Sequence, residues 1–231
     1  LEEVKNGFER LAAFYAERAR GGVGLIVTGG IGPNTEGAVF QHAAKMNTEE
    51  ESDKHKVITK AVHDEGGKIC MQILHAGRYA YSPELVAPSA IQAPINPFKP
   101  RELDEAGIQK QIDDYVNCAA LAQRAGYDSV EIMGSEGYFI NQFIVAHTNH
   151  RTDQWGGSYE NRIRLPLEIV RRVRERVGEN FIIVYRLSML DLIEDGSTWE
   201  EVVHLAKEIE KAGATIINTG IGWHEARVPT I

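Results

Sequence analysis

Five short apolar runs, separated by stretches of helical period, constrain this chain more than any other feature. They are GVGLIVTGG (22–30), KICMQILHAG (68–77), YDSVEIMG (127–134), FIIVYRLS (181–188) and ATIINTG (214–220). Residues 7–20, about 49–65, 103–125, about 159–177 and 198–213 read as helices between them. A Pro-rich stretch, 82–100, has no period and reads as a loop. Strands that are continuous apolar runs, alternating with helices, imply a parallel sheet covered on both faces.

A doubly wound sheet and a (β/α)8 barrel both satisfy that pattern, and the strand ends choose between them. Polar residues follow every run: Gly29-Gly30, then 72–78 (QILHAGR), 133–138 (MGSEGY), 185–188 (YRLS) and 218–227 (NTGIGWHEAR). Chemistry distributed over all strand ends is the barrel arrangement. A doubly wound fold concentrates it at one switch point. Gly30, Gly32 and Gly37 also miss the G-x-G-x-x-G spacing that dinucleotide binding needs. The expected fold is therefore an α/β TIM (β/α)8 barrel. Five strands make it a barrel truncated at both ends, with about strands 2 to 6 present in a single partial domain over 1–231. The start at Leu1, without methionine, fits that expectation.

The net charge of −8, with no block of Lys or Arg, speaks against nucleic acid and anionic membrane as partners. A local basic pocket for an anionic small molecule is still compatible with it. The two cysteines, Cys70 and Cys118, are not in a CxxC pair and read as buried thiols of a reducing compartment. No apolar run reaches membrane-spanning length and no signal peptide is present, so a cytoplasmic protein is expected.

Several residues at the strand ends carry chemistry. Gln72 interrupts an apolar strand, and a buried amide must satisfy one acceptor and two donor positions. Neighbouring backbone could do so, as could a ligand of alternating donors and acceptors such as the pyrimidine edge of a flavin. Arg186 follows FIIVY, and a guanidinium there is costly to desolvate without an anion. Its partner is either a barrel carboxylate or an anionic ligand. His224, in GIGWHEAR, lies beside Glu225 and just past the glycines that flank Ile221 and allow close backbone approach, either a capped surface residue or part of a site. His75 and Arg78, in HAGR, also follow a strand, and Arg78 fits an ion pair as well as a ligand contact. Tyr138 stands just past Gly137, either as a packing aromatic or as a proton donor. The segment HRTDQWGGSYENR (150–162) supplies helix N-cap residues, Asp153 and Ser158, and a Gly-Gly turn. Capping does not account for Arg, Asp, Trp, Asn and Arg occurring together there.

RTDQWGGSYENR, with GYFINQF upstream and the strand leading into HAGR, resembles the signature of the Old Yellow Enzyme family of flavin-dependent ene-reductases. INTGIGWHEARVPTI and LVAPSAIQAPIN are similar to its bacterial 2,4-dienoyl-CoA reductase branch, and the resemblance covers essentially the whole chain. It implies a TIM barrel holding FMN across its C-terminal mouth. Gln72 would bond the flavin pyrimidine edge, and Gly30 would pass its backbone close to the ring. Arg186 would sit near N1 and stabilise the anionic reduced flavin. Tyr138 would be the proton donor and His224 its neighbour. The implied activity is reduction of a conjugated enoyl- or dienoyl-CoA in the breakdown of unsaturated acyl chains. Related members instead act as 2-enoate reductases or as amine dehydrogenases and demethylases, and a flavin-binding or inactive truncated barrel is the non-enzyme alternative.

Two departures stand out. The carbonyl-binding His/His or His/Asn pair of many Old Yellow Enzymes is replaced at Met133 and Glu136. An arginine of the branch that is thought to meet substrate is matched by His147, so His147 and Arg78 are the expected substrate contacts. In the full-length parent the resemblance implies a 4Fe–4S cluster and FAD with NADPH, in domains outside this chain. The isolated piece is expected to fold poorly or to bind flavin weakly, because open barrel edges invite association.

Overall fold

The computed structural model describes residues 4–226. In chain order the elements are α1 (Gly7–Arg20), β1 (Leu25–Ile31), α2 (Glu49–Asp64), β2 (Lys68–Ile73) and a 3-10 turn (Gly77–Tyr79). A two-residue pair follows, β3 (Val86–Ala87) and β4 (Arg101–Glu102), then α3 (Glu105–Arg124), β5 (Ser129–Gly134) and α4 (Phe139–Ile144). The last elements are α5 (Tyr159–Arg162), α6 (Arg164–Val177), β6 (Ile182–Leu190), α7 (Trp199–Ala212) and β7 (Ile216–Ile221).

The main sheet runs β1-β2-β5-β6-β7, and every neighbouring pair in it is parallel. Each strand therefore lies beside the one that precedes it in the sheet. The winding never reverses, so there is no switch point of the doubly wound kind. This is an arc of an α/β barrel, as the strand ends implied.

Helix placement follows from local chemistry. The hydroxyls of Thr48 and Thr198 each cap a helix start, with Glu51 and Glu201 reaching back in reciprocal capping boxes. Asp104 caps α3 through the N–H of Gly107. The helix expected over 159–177 is broken at Ile163, giving α5 and α6. Pro166 lacks the N–H that would reach the carbonyl of Arg162, and it is tolerated only in the first turn of a new helix.

Four of the five strands are shorter than their apolar runs, whereas β6 extends past its run to Leu190. The run 68–77 forms a strand only to Ile73, and the chain then turns through His75 into the 3-10 segment. The strands are also two-faced. Ile69, Met71, Ile73, Val130, Ile132, Ile183, Tyr185 and Leu187 pack into the helix-facing core. The alternate residues on these strands include Gln72, Glu131, Arg186 and, on β7, Asn218, which form a polar inner face. The expectation of uniformly apolar strands is corrected here. The outer strands β1 and β7 leave Leu25, Val27, Ile216, Ile217 and Ile221 exposed.

Candidate active site

The β5–α4 connection places Tyr138. Glu136 and Gly137 both adopt left-handed backbone, at φ 63 and 80. A Cβ on Gly137 would lie 2.7 Å from the Trp223 ring and from the Tyr79 hydroxyl, so only glycine lets the segment pack there. Two consecutive left-handed residues turn the chain sharply off the strand, and Tyr138 becomes the N-cap of α4 without using its hydroxyl for capping.

The Tyr138 hydroxyl lies 2.8 Å from His224 Nε2, on the loop after β7. The rings meet edge to face, with centroids 5.0 Å apart. Half-burial and, secondarily, the Glu136 carboxylate push the Tyr138 phenol up to about 12, against a lowering by Arg186. Tyr138 therefore keeps its proton at neutral pH.

Arg186 gives Nε and Nη2 to Glu136 Oε1, at 3.0 and 2.6 Å, and its Nη1 has no protein acceptor among the described residues. Gln72 Nε2 donates to Glu131 Oε1 at 2.8 Å, and Asn218 Nδ2 donates to Glu131 Oε2 at 2.7 Å. Glu131 is wholly buried. A bulge in β1 between Val27 and Gly30 lets the Thr28 hydroxyl accept the backbone N–H of Gln72 at 3.1 Å.

The structure thus gathers Gly30, Gln72, Arg186, Tyr138 and His224 around the inner face and C-terminal ends of one sheet. His147 and Arg78 converge elsewhere, on Glu225. Arg78 Nη2 donates to both Glu225 oxygens, at 2.6 and 2.5 Å, and the Tyr79 hydroxyl donates to Oε2 at 2.8 Å. His147 Nε2 lies 3.4 Å from Oε1. Arg78 is only 1% exposed, so its guanidinium is engaged from within the protein.

His75 is a packing residue. It is fully buried and stacked on Phe139 at 4.0 Å. It lies 3.1 Å from Gln111 Oε1 through Nε2 and accepts the N–H of Gly77 at Nδ1. Burial lowers its pKa to about 3 from an ordinary 6.5. Below pH 6.5 the unfolded chain takes up a proton that the folded chain refuses. His75 therefore erodes stability as pH falls, by up to about 1.4 kcal/mol per pH unit, down to the folded value. Its imidazole resonances should not titrate between about pH 7 and 4; a midpoint near 6 would contradict this.

A model of the NADH:flavin oxidoreductase / NADH oxidase family matches residues 1–231. The chain belongs to that family. It is 37% identical over 230 residues to an NADH oxidase of Thermoanaerobacter brockii, an alignment covering 96% of this chain and 35% of the relative. The chain therefore spans about a third of that relative's length. Among solved structures, a 2-naphthoyl-CoA reductase complexed with 2-naphthoyl-CoA superposes with a TM-score of 0.90 at 33% identity, over 95% of this chain and 36% of that one. An Old Yellow Enzyme homologue from Zymomonas mobilis gives 0.85 at 31% identity, over 99% and 69%. The chain is an Old Yellow Enzyme-like flavin oxidoreductase barrel, and FMN is the cofactor its family carries.

The inner face fits the polar edge of a flavin. Gln72 keeps Oε1 and its second amide N–H available among the described residues, an acceptor beside a donor. A Cβ on Gly30 would lie 2.7 Å from Leu74 Cδ1 and 3.2 Å from Gln72 Oε1, so glycine is needed to leave both in place. Arg186 adds a cation with an uncommitted N–H.

Sequence reasoning missed Glu131 and Asn218 and gave Glu136 no partner. Glu131 was absorbed into an apolar run. Its signal was a charged residue at the alternate position to Val130 and Ile132.

Proposed function

We propose that this chain is the catalytic barrel of an FMN-dependent ene-reductase acting on a conjugated 2,4-dienoyl thioester of coenzyme A. The observation that carries the reading is the 2.8 Å contact between Tyr138 and His224 beside the Arg186–Glu136 pair. FMN, when bound and reduced, would supply a hydride to the far end of the diene.

This chain's own residues do the rest. Gln72 would bind the pyrimidine edge through Oε1 and its remaining N–H, with Glu131 holding the amide in one orientation. Arg186, tethered by Glu136, would offer its positive charge near N1. Hydride addition leaves negative charge spread toward the thioester carbonyl. The Tyr138 O–H transfers its proton to the electron-rich carbon, completing addition of two hydrogens. His224 Nε2 lies where an N–H can stabilise the phenolate oxygen and return a proton to it. His147, a third exposed, would meet the CoA portion. Arg78, through Glu225, would hold the loop that carries His224.

Similarity to a barrel solved with an aromatic CoA thioester supports the CoA ester class. We further propose that NADPH delivers electrons through FAD and a 4Fe–4S cluster outside this chain. A cluster of that kind needs four thiolates, whereas this chain has two cysteines. Among the described residues no His, Cys, Asp and Glu group could hold a metal ion. No helix among them is long and apolar enough to cross a membrane.

The test uses the full-length natural protein, mixed anaerobically with NADPH and either a 2,4-dienoyl-CoA or the free dienoic acid. Rapid loss of diene absorbance with the thioester, and little with the acid, is the expected result. An untouched thioester would sink the substrate assignment.

A further inference from the structure

Tyr138 and His224 lie on loops that follow different strands, β5 and β7, and little in either loop's own sequence fixes their separation. What joins them is Asp191, the residue just after β6. It is 4% exposed, and four donors converge on its carboxylate. Oδ1 accepts from Ser188 Oγ at 2.7 Å, Trp223 Nε1 at 2.9 Å and Asn141 Nδ2 at 3.2 Å. Oδ2 accepts the backbone N–H of Ser197 at 2.7 Å.

Two of these connections lead straight to the reacting pair. Trp223 precedes His224, and its backbone N–H also donates to the Asp191 carbonyl at 3.1 Å. Asn141 passes the constraint the other way: its Oδ1 accepts the N–H of Gly137 at 2.9 Å, immediately before Tyr138. We infer that Asp191 is a positioning residue that sets the Tyr138–His224 separation, one side chain tying both loops to the end of β6. The inference rests on the proton-transfer role proposed above.

The chemistry demands a carboxylate. The Trp223 indole and the Ser197 backbone are donors that cannot reverse, and they approach different oxygens. An asparagine at 191 would turn an N–H against one of them. A buried N–H facing an N–H is costly and is relieved by movement. The segment free to move is one of the two loops.

The test compares Asp191→Asn, and Trp223→Phe as a milder variant that removes one indole donor and keeps an aromatic ring. Both are made in the full-length natural protein, alone and combined with Tyr138→Phe. Flavin reduction by NADPH and flavin reoxidation by a 2,4-dienoyl-CoA are followed separately by stopped flow. Asp191→Asn is expected to slow reoxidation about 10- to 100-fold, and Trp223→Phe less, with NADPH reduction within about twofold of wild type. In the Tyr138→Phe background both are expected to change reoxidation by less than about twofold, because the pair they position is already gone. Equal slowing of both half-reactions, or full slowing retained without the tyrosine hydroxyl, would overturn the inference and leave the proposed function standing. If Tyr138→Phe alone has no effect, the proposed function fails, and this inference with it. If Asp191→Asn does not fold, the same two readouts on Trp223→Phe decide.

Discussion

Tyr138→Phe in the full-length protein is expected to slow reduction of a 2,4-dienoyl-CoA by about 10²–10⁴-fold, the usual contribution of a positioned general acid. Reduction of the flavin by NADPH should stay near the wild-type rate, because the variant removes one oxygen and keeps the ring. That ring packs edge to face against Tyr79 and His224, with centroids 6.1 and 5.0 Å away, so the loop should hold its shape. The effect belongs to proton delivery. With its pKa pushed up to about 12, the phenol remains protonated across the ordinary pH range. The proton-delivery step should therefore show no alkaline loss from Tyr138 below about pH 10. Stopped-flow reoxidation of the reduced protein by the thioester, measured across pH, checks both statements. A mutant as fast as wild type would make Tyr138 a packing residue.

Glu225→Ala is expected to produce the largest loss of stability. The Arg78–Glu225 pair is almost fully enclosed, with the side chains 2% and 6% exposed. Removing the carboxylate leaves a guanidinium buried without its counter-charge, and breaking a buried pair costs about 3–5 kcal/mol. The Tyr79 hydroxyl loses its acceptor in the same step. The stacked neighbours do not compensate, since the Arg78 guanidinium carbon sits 5.7 and 5.8 Å from the Tyr79 and Trp223 ring centroids. Cation–π attraction is worth only about 0.5–2 kcal/mol. Replacing both partners, with Arg78→Met and Glu225→Leu, should recover much of the loss, because no charge is then stranded. Urea denaturation of wild type and the two variants, followed by protein fluorescence, is the check. A single variant as stable as wild type would show that water reaches Arg78. Because His224 adjoins Glu225, the single variant should also lose activity out of proportion to flavin content.

Much of this was legible in the chain. The β-α alternation and the polar strand ends pointed to a barrel, and the sequential strand order agrees. The reason is that parallel strands bury one face on helices, so Ile69, Met71, Val130, Ile132 and Ile183 write their role into the local pattern. The helix split at Ile163 could have been read from Pro166, but helical period carried across it. Glu131 was harder. A carboxylate in an apolar run is tolerable only when its partners exist, and those partners, Gln72 and Asn218, lie 59 and 87 residues away. The same holds for Arg78. Its position after a strand fitted a ligand contact or an ion pair equally well, and the Glu225 partner is 147 residues distant.

By itself the sequence determined the alternation of strand and helix, the polarity of the strand ends and the set of residues able to do proton and flavin chemistry. Those are properties of period, turn chemistry and side-chain type, and they are local. Tertiary structure alone decided which of these groups meet. It put His224 on Tyr138, set Glu136 against Arg186, turned Arg78 inward onto Glu225, and tied two loops to Asp191. Hydrogen bonds and ion pairs require approach within about 3 Å, and in a barrel that approach is set by strand register and loop path. No stretch of the chain encodes it alone.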